Sequence, residues 1–374
     1  MSTTKAISPK VIDFAADARI HRFKIHKQIA PLLSPNNIGI NPGGVYNPGA
    51  TTFRNVRNLL LPRITFGEKY PDSDFVSYVC LAEAKDGLFI QDLSTIDVLS
   101  PNDRFPYGYE DARVTPIGRW YYIVATAYDG KTPQITLTRT KNFEQFDYEG
   151  IIGPRNIDDK DAFFHPELVN VDEKPKLMLY HRASETGNIQ YVLVDSIEEL
   201  LDKSGEKFWK QEIPVDVKGK ITSTTNLDNK TILRTIPQTW EGGKIGGGIP
   251  PIKTPNGWLF IYHAVDNFGV YRGGMALLDT FEPWKVISRS PFPILEPTLE
   301  FEIAGLVENV VFPQSAILKR NYTEPANPIV YIYYGAADKY VGVAKFKLND
   351  ALSYLSQFDK DGKFAGAETT ATKN

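Results

Sequence analysis

The sequence predicts an all-β chain: a five-bladed β-propeller with an N-terminal arm and a short C-terminal helix. Three observations predict it. A phrase of hydrophobic residues, a turn and a Tyr- and aliphatic-rich run recurs at roughly fifty to eighty residues, the spacing of a propeller or array. Each copy is followed by a second strand pair, so each supplies about four short strands, one blade. The composition, 12% aromatic with 26 Pro and 28 Gly, favours strands joined by many turns.

Residues 1–40 precede the first copy and read as an arm or lid across the ring. The five copies run from Pro42 to Arg63, Asp111 to Tyr128, Pro166 to Arg182, Pro250 to His263 and Pro313 to Tyr334. Further strands start at Val76, Ile135, Ile189, Gly274 and Val341. Aligning the first two of these sets Glu83 against Arg139 and Asp86 against Asn142, with a turn after each strand. Residues 199–245 are the longest insertion, mostly polar, and are expected near a ring opening. Asn349 to Phe358 combines a capping residue with helical apolar spacing. The propeller therefore spans 41–348. Residues 349–374 hold the closing helix and a tail expected to be disordered.

Formal charge is −3, from 42 basic and 45 acidic residues, and no arginine-rich tract appears. That argues against a nucleic-acid partner. The single cysteine, Cys80, permits no intramolecular disulfide and sits in an apolar run, as a structural thiol does. No apolar run approaches about eighteen residues, so no membrane span is expected. The first residues lack the apolar stretch of a signal peptide, and the expected location is cytoplasmic.

The chemistry-bearing residues gather at the starts of the repeats. In an extended strand Asp111 and Arg113 share one face and Glu110 takes the other. Spacing alone favours a structural ion pair there over a catalytic acid. The segment Asp158-Asp-Lys-Asp161 reads first as a solvated turn, and functionally as one that makes Lys160 an anion ligand. Arg139, Lys160, Arg182, Lys244 and His263 all fall near repeat starts or inner-strand ends. A ring can converge such cations on one point, as an inorganic phosphate site requires. The Gly-rich stretch from Trp240 to Pro251 lacks the strand–helix context of a P-loop. It lets the backbone pass close to the axis. His181 and His263 hold equivalent places, but no ligand spacing supports a metal, and none is expected.

Taken in order, these segments resemble a known family. They are Glu110-Asp-Ala-Arg113, Lys160-Asp-Ala-Phe-Phe-His-Pro166, Tyr180-His-Arg182 and Lys244-Ile-Gly-Gly-Gly-Ile-Pro-Pro251. Gly257 to His263, Tyr271 to Asp279 and Tyr333-Tyr-Gly-Ala-Ala-Asp338 complete the series. The chain resembles glycoside hydrolase family 130, the β-mannoside phosphorylases and related mannosidases, over nearly the whole repeat region. The resemblance implies a five-bladed propeller with its active site at the axial mouth. The family's acid, the Asp of a Glu-Asp-Pro-Arg motif, maps onto Asp111, with Ala112 in place of the usual Pro. Lys160, Lys244 and His263 map onto phosphate-side positions, and Arg139 joins them on a looser alignment. Arg63, Tyr109, Arg113, Asp161 and Asp338 are implied to shape the mannose subsite. Glu83 stands where many members carry Arg. Oligomeric relatives leave a homo-oligomer open for this chain.

An inverting hydrolase needs two carboxyl groups about 6.5–9.5 Å apart, one acid and one base. An inverting phosphorylase needs only the acid, with cations where a hydrolase keeps its base. Lys160 and Lys244 are both basic. The expected reaction is phosphorolysis of a β-mannoside with inversion, releasing α-mannose 1-phosphate. Its co-substrate is inorganic phosphate, and no cofactor is expected. Two alternatives stand beside it. One is an inverting β-mannosidase that takes Asp158, Asp159, Glu167 or Glu241 as base. The other is a non-catalytic sugar-binding propeller. Linkage and acceptor sugar stay open.

Overall fold

Five antiparallel sheets stand around one axis, each a blade whose first strand lies innermost. The computed structural model describes residues 23–38, 42–67, 75–155, 157–184, 186–201 and 230–365, without the side chains of 91–96. Blade 1 runs outward through Gly44–Phe53, Arg57–Phe66, Val76–Lys85 and Phe89–Leu99. Blade 2 runs through Tyr109–Ile117, Trp120–Tyr128, Pro133–Thr140 and Asp147–Ile151. Blade 3 is Asp159–Phe164, Lys174–Ala183, Ile189–Val194 and Thr231–Leu233, and blade 4 is Lys244–Gly247, Gly257–Val265, Tyr271–Leu278 and Val286–Arg289. Blade 5 begins with Val311–Lys319, Ile329–Ala336 and Tyr340–Lys347.

The fourth strand of blade 5 comes from the other end of the chain. His26 pairs with Lys345 and Lys27 with Ala344, and Leu33 bridges to Val341. Over these residues the expected arm is a closing edge of the ring rather than a lid across it. The reason is that the last blade would otherwise leave Tyr340–Lys347 as an unpaired edge. Residues 1–22 of that arm, 202–229 of the insertion and 366–374 of the tail lie outside the described residues.

Each blade is packed on both faces, which is why the second strands read as unbroken apolar runs. Every residue of Gly257–Val265 is buried. The core lies between neighbouring blades. Between blades 4 and 5 it gathers Ile261, Met275, Val311, Ile332 and Phe346. The described helices are short: α1 (Ile197–Leu201), α2 (Glu300–Ile303) and α3 (Leu348–Leu355). Helix α3 buries Leu348, Ala351, Tyr354 and Leu355 against that same core, the one-sided spacing of a packed helix. No helix among the described residues is long and apolar enough to cross a membrane.

Candidate active site at the axial mouth

Four inner strands break register, and in three of them the break holds an Asn or Asp. In those three it falls between Tyr46 and Gly49 in blade 1, Glu110 and Arg113 in blade 2, and Lys160 and Phe163 in blade 3. Bulges of this kind re-aim side chains beside active sites. Asn47, Asp111 and Asp161 occupy the breaks with φ of 44°, 53° and 54°. Asn and Asp tolerate this left-handed region better than other non-glycine residues. The sequence carries the pattern as Asn47-Pro48, Asp111-Ala112 and Asp161-Ala162.

Asp111 is held through one oxygen. Its Oδ1 accepts from Asn47 Nδ2 at 2.9 Å and from Arg63 Nη1 at 3.3 Å. Arg63 also donates through Nη2 to Glu110 Oε1 at 3.0 Å. No described residue bonds Asp111 Oδ2, and the side chain keeps 17% of its surface exposed, enough for a ligand to reach it.

Asp161 is buried and acts as a hub beneath the mouth. Its Oδ2 meets Arg182 Nε at 2.6 Å and His263 Nε2 at 3.2 Å, and its Oδ1 lies 3.3 Å from Arg113 Nη2. Burial opposes ionisation, but Arg182, His263 and Arg113 outweigh it and hold the carboxyl well below the usual range. Burial lowers His263 against the pull of Asp161. Its Nδ1 is buried without a partner among the described residues. Arg113, on blade 2, joins blades 3 and 4 to its own: besides Asp161 it donates to Gly248 O at 3.0 Å, Gly247 O at 2.8 Å and Asp111 O at 3.2 Å.

Above this floor opens a cavity of about 490 Å³. Arg63, Glu110, Lys131, Asp158, Lys160 and Asp338 give it charge, and Leu306 and Val307 give it an apolar wall. Asp338 is partly exposed there. Its carboxyl is pushed up to about 6 by burial, against Arg63, with the charges of Asp111 and Glu110 adding to the rise. Lys160 stands in register opposite Arg182. Lys244 Nζ lies 5.6 Å from the Tyr271 ring centroid. Neither lysine has a carboxylate partner among the described residues.

The structure therefore brings Asp111, Arg63, Asp338, Lys160 and Lys244 to the mouth and sets Arg113, Asp161 and His263 directly beneath. Two expected residues fall elsewhere. Arg139 does match Glu83 in blade position, but that position is at the opposite end of the blade from Asp111. Arg139 pairs there with Glu149 and lies over Trp120, and Glu83 pairs with Arg57. Tyr109 is buried in the core between blades 1 and 2, and its hydroxyl accepts from Asn102 Nδ2 at 2.9 Å. His263 lies in the floor, bonded to Asp161, rather than in the cavity wall. Lys131, Leu306 and Val307 were missed. Lys131 sits at the tip of the hairpin after Tyr128, and the other two sit in a loop outside the repeat, where no recurring pattern marks them.

Fold and axial carboxylates together define a carbohydrate-active five-bladed propeller. The family profile described as β-1,4-mannooligosaccharide phosphorylase, that of glycoside hydrolase family 130, matches residues 18–357. The chain belongs to that family. It is 31% identical over 309 residues to the 1,2-β-oligomannan phosphorylase of Thermoanaerobacter sp. (strain X514), covering 82% of this chain and 90% of that protein. It is 34% identical to a β-1,2-mannobiose phosphorylase of the same organism, covering 74% and 78%. Among solved structures it is similar to the β-1,2-mannobiose phosphorylase of Listeria innocua in complex with β-1,2-mannobiose. That match has a TM-score of 0.70 and 25% identity, covering 88% of this chain and 99% of the other.

Proposed function

We propose that this chain is an inverting phosphorylase of β-mannosides, acting on β-1,2-linked manno-oligosaccharides. A phosphate oxygen attacks the anomeric carbon on the face opposite the glycosidic bond. That bond breaks, and Asp111 supplies the proton to the leaving oxygen, directly or through a substrate hydroxyl. The products are α-mannose 1-phosphate and the shortened sugar. Lys160 and Lys244 bind the phosphate, with Arg182 behind them. Arg63, Glu110 and Asp338 bind the mannose hydroxyls. Asp161, Arg113 and His263 hold these groups in place from below.

The observation that carries this reading is the pairing of charges. Lys160 and Lys244 lack carboxylate partners among the described residues, whereas three of the four carboxylates that could have served a hydrolase are occupied. Asp159 bonds His181 at 2.7 Å, and Glu241 bonds Arg289 at 2.7 Å and Tyr262 at 2.9 Å. Glu167 pairs with Lys253 beside a cavity at the opposite end of the axis. The β-1,2 linkage is supported by the names of the relatives at 31–34% identity.

Hydrolysis is the second reading, and one observation favours it. Asp158 lines the cavity, and its Oδ1 is buried without a partner among the described residues, so of those four it is the remaining candidate base. Incubation with β-1,2- and β-1,4-mannobiose, with and without inorganic phosphate, separates the two. Phosphate-dependent release of α-mannose 1-phosphate is expected. Phosphate-independent release of free mannose overturns the phosphorylase reading.

A further inference from the structure

The apolar wall of the cavity is anchored by a residue from the far end of the chain. Leu306 and Val307 stand on the loop between α2 and the inner strand of blade 5. That loop closes on its own base. Val310 N donates to Glu302 O at 3.0 Å and Asn309 N to Ile303 O at 3.1 Å. It also clasps the residue before Asp338, with Val307 N donating to Ala337 O at 3.2 Å and Ala337 N to Val310 O at 3.1 Å.

Glu302, at the base, is fully buried. Its Oε2 accepts from Thr298 N at 2.7 Å and Leu299 N at 2.9 Å, and its Oε1 accepts from Tyr334 OH at 2.7 Å. The compensating charge is Lys27 Nζ, 2.7 Å from Oε2. The same ammonium donates to Thr298 Oγ1 at 3.0 Å and to Glu296 O. Lys27 belongs to the two-residue strand that completes blade 5. A buried carboxylate that loses its partner is strongly disfavoured in place. Without Lys27, Glu302 is driven toward water or protonation, and the loop built on it shifts.

We propose that Lys27 is a positioning residue for sugar binding. Through Glu302 it holds the 304–310 loop so that Leu306 and Val307 meet the C–H face of a sugar ring. The phosphate-side lysines stand on blades 3 and 4, outside this arrangement. The ring-closing strand thus also sets the shape of the active-site mouth. This inference rests on the phosphorylase reading.

The test measures KM for β-mannobiose and for phosphate in the full chain carrying Lys27→Met, Thr298→Val or Val307→Ala. Lys27→Met is expected to raise the mannoside KM about fivefold and leave the phosphate KM within about twofold. Thr298→Val, which deletes one acceptor of the ammonium, shifts it the same way by less. Lys27→Met and Val307→Ala combine non-additively, because both act on one wall. Lys27→Arg restores the mannoside KM toward wild type. A folded Lys27→Met with wild-type mannoside KM overturns the inference, as does an equal rise in both KM values. If Lys27→Met does not fold, an unchanged mannoside KM in Thr298→Val overturns it. If the wild type shows no phosphate-dependent turnover, the phosphorylase reading fails instead. Lys27 is then judged by calorimetric binding of mannobiose, where equal affinity in both proteins overturns its role.

Discussion

A methyl group on Gly246 would lie 2.2 Å from Asp161 Oδ2. The same carbon would meet His263 Nε2 at 2.4 Å. Both neighbours are buried and bonded, so neither can withdraw. Within the Gly-rich stretch of blade 4, Gly246 is thus a clearance for the Asp161 hub. Gly246→Ala should overpack the floor and lower stability by about 1–3 kcal/mol. Phosphate-dependent turnover should fall by more than about tenfold, since displacing a positioned group by an ångström is costly. Thermal unfolding and initial rates check both. A variant with native stability and native rate would show that Asp161 tolerates displacement.

That clearance shows how much was legible beforehand. The repeat, read as buried second strands at regular intervals, specifies blades because apolar runs and turns are local signals. The axial acid was legible only through the family resemblance, because spacing alone reads Asp111 beside Arg113 as a structural ion pair. Arg139 misled because blade position was right while strand direction was not weighed: the third strand runs away from the mouth. His263 and Arg113 were placed at the site, but their roles depend on contacts across three blades. Lys131 and the Leu306–Val307 wall sit on loops, whose shape no periodicity encodes. Lys27 was hidden because ring closure pairs residues more than 300 positions apart.

Asp111→Asn should separate binding from chemistry. The amide preserves the contact with Arg63 through its oxygen, yet has no proton to give to the leaving oxygen. A positioned general acid is worth about 10²–10⁴ in rate, so kcat should fall by that factor. Calorimetric affinity for β-mannobiose should change by only a few-fold. Retention of turnover in Asp111→Asn would move the acid elsewhere in the pocket.

Lys244→Glu should act on phosphate. It replaces a cation at the mouth with a carboxylate facing a dianion, a like-charge contact that costs several kcal/mol. Phosphate KM should rise by at least about tenfold, with a much smaller change in mannoside KM. Arg139→Ala serves as the contrast. Its guanidinium pairs with Glu149 at the far end of blade 2, so phosphate KM should hold at the wild-type value. The reverse pattern would restore Arg139 to the site and remove Lys244.

Asp338→Asn should reveal the cost of keeping a carboxylate in the mouth. The folded carboxyl titrates near 6, above its ordinary value of 3.8, because burial and the charges of Asp111 and Glu110 outweigh Arg63 and Lys244. The folded state therefore holds the proton more tightly than the unfolded chain does. The resulting stabilisation is full below the unfolded value and is lost as pH rises through 6. Asparagine cannot ionise, so the variant keeps what the wild type loses. Its stability relative to wild type should increase between pH 4 and pH 7.5, by on the order of 2 kcal/mol. Mannoside KM should rise at every pH, because the hydroxyl-binding carboxylate is gone. Thermal unfolding across that range decides it: a stability difference that stays flat with pH would mean Asp338 is ionised in the folded protein throughout.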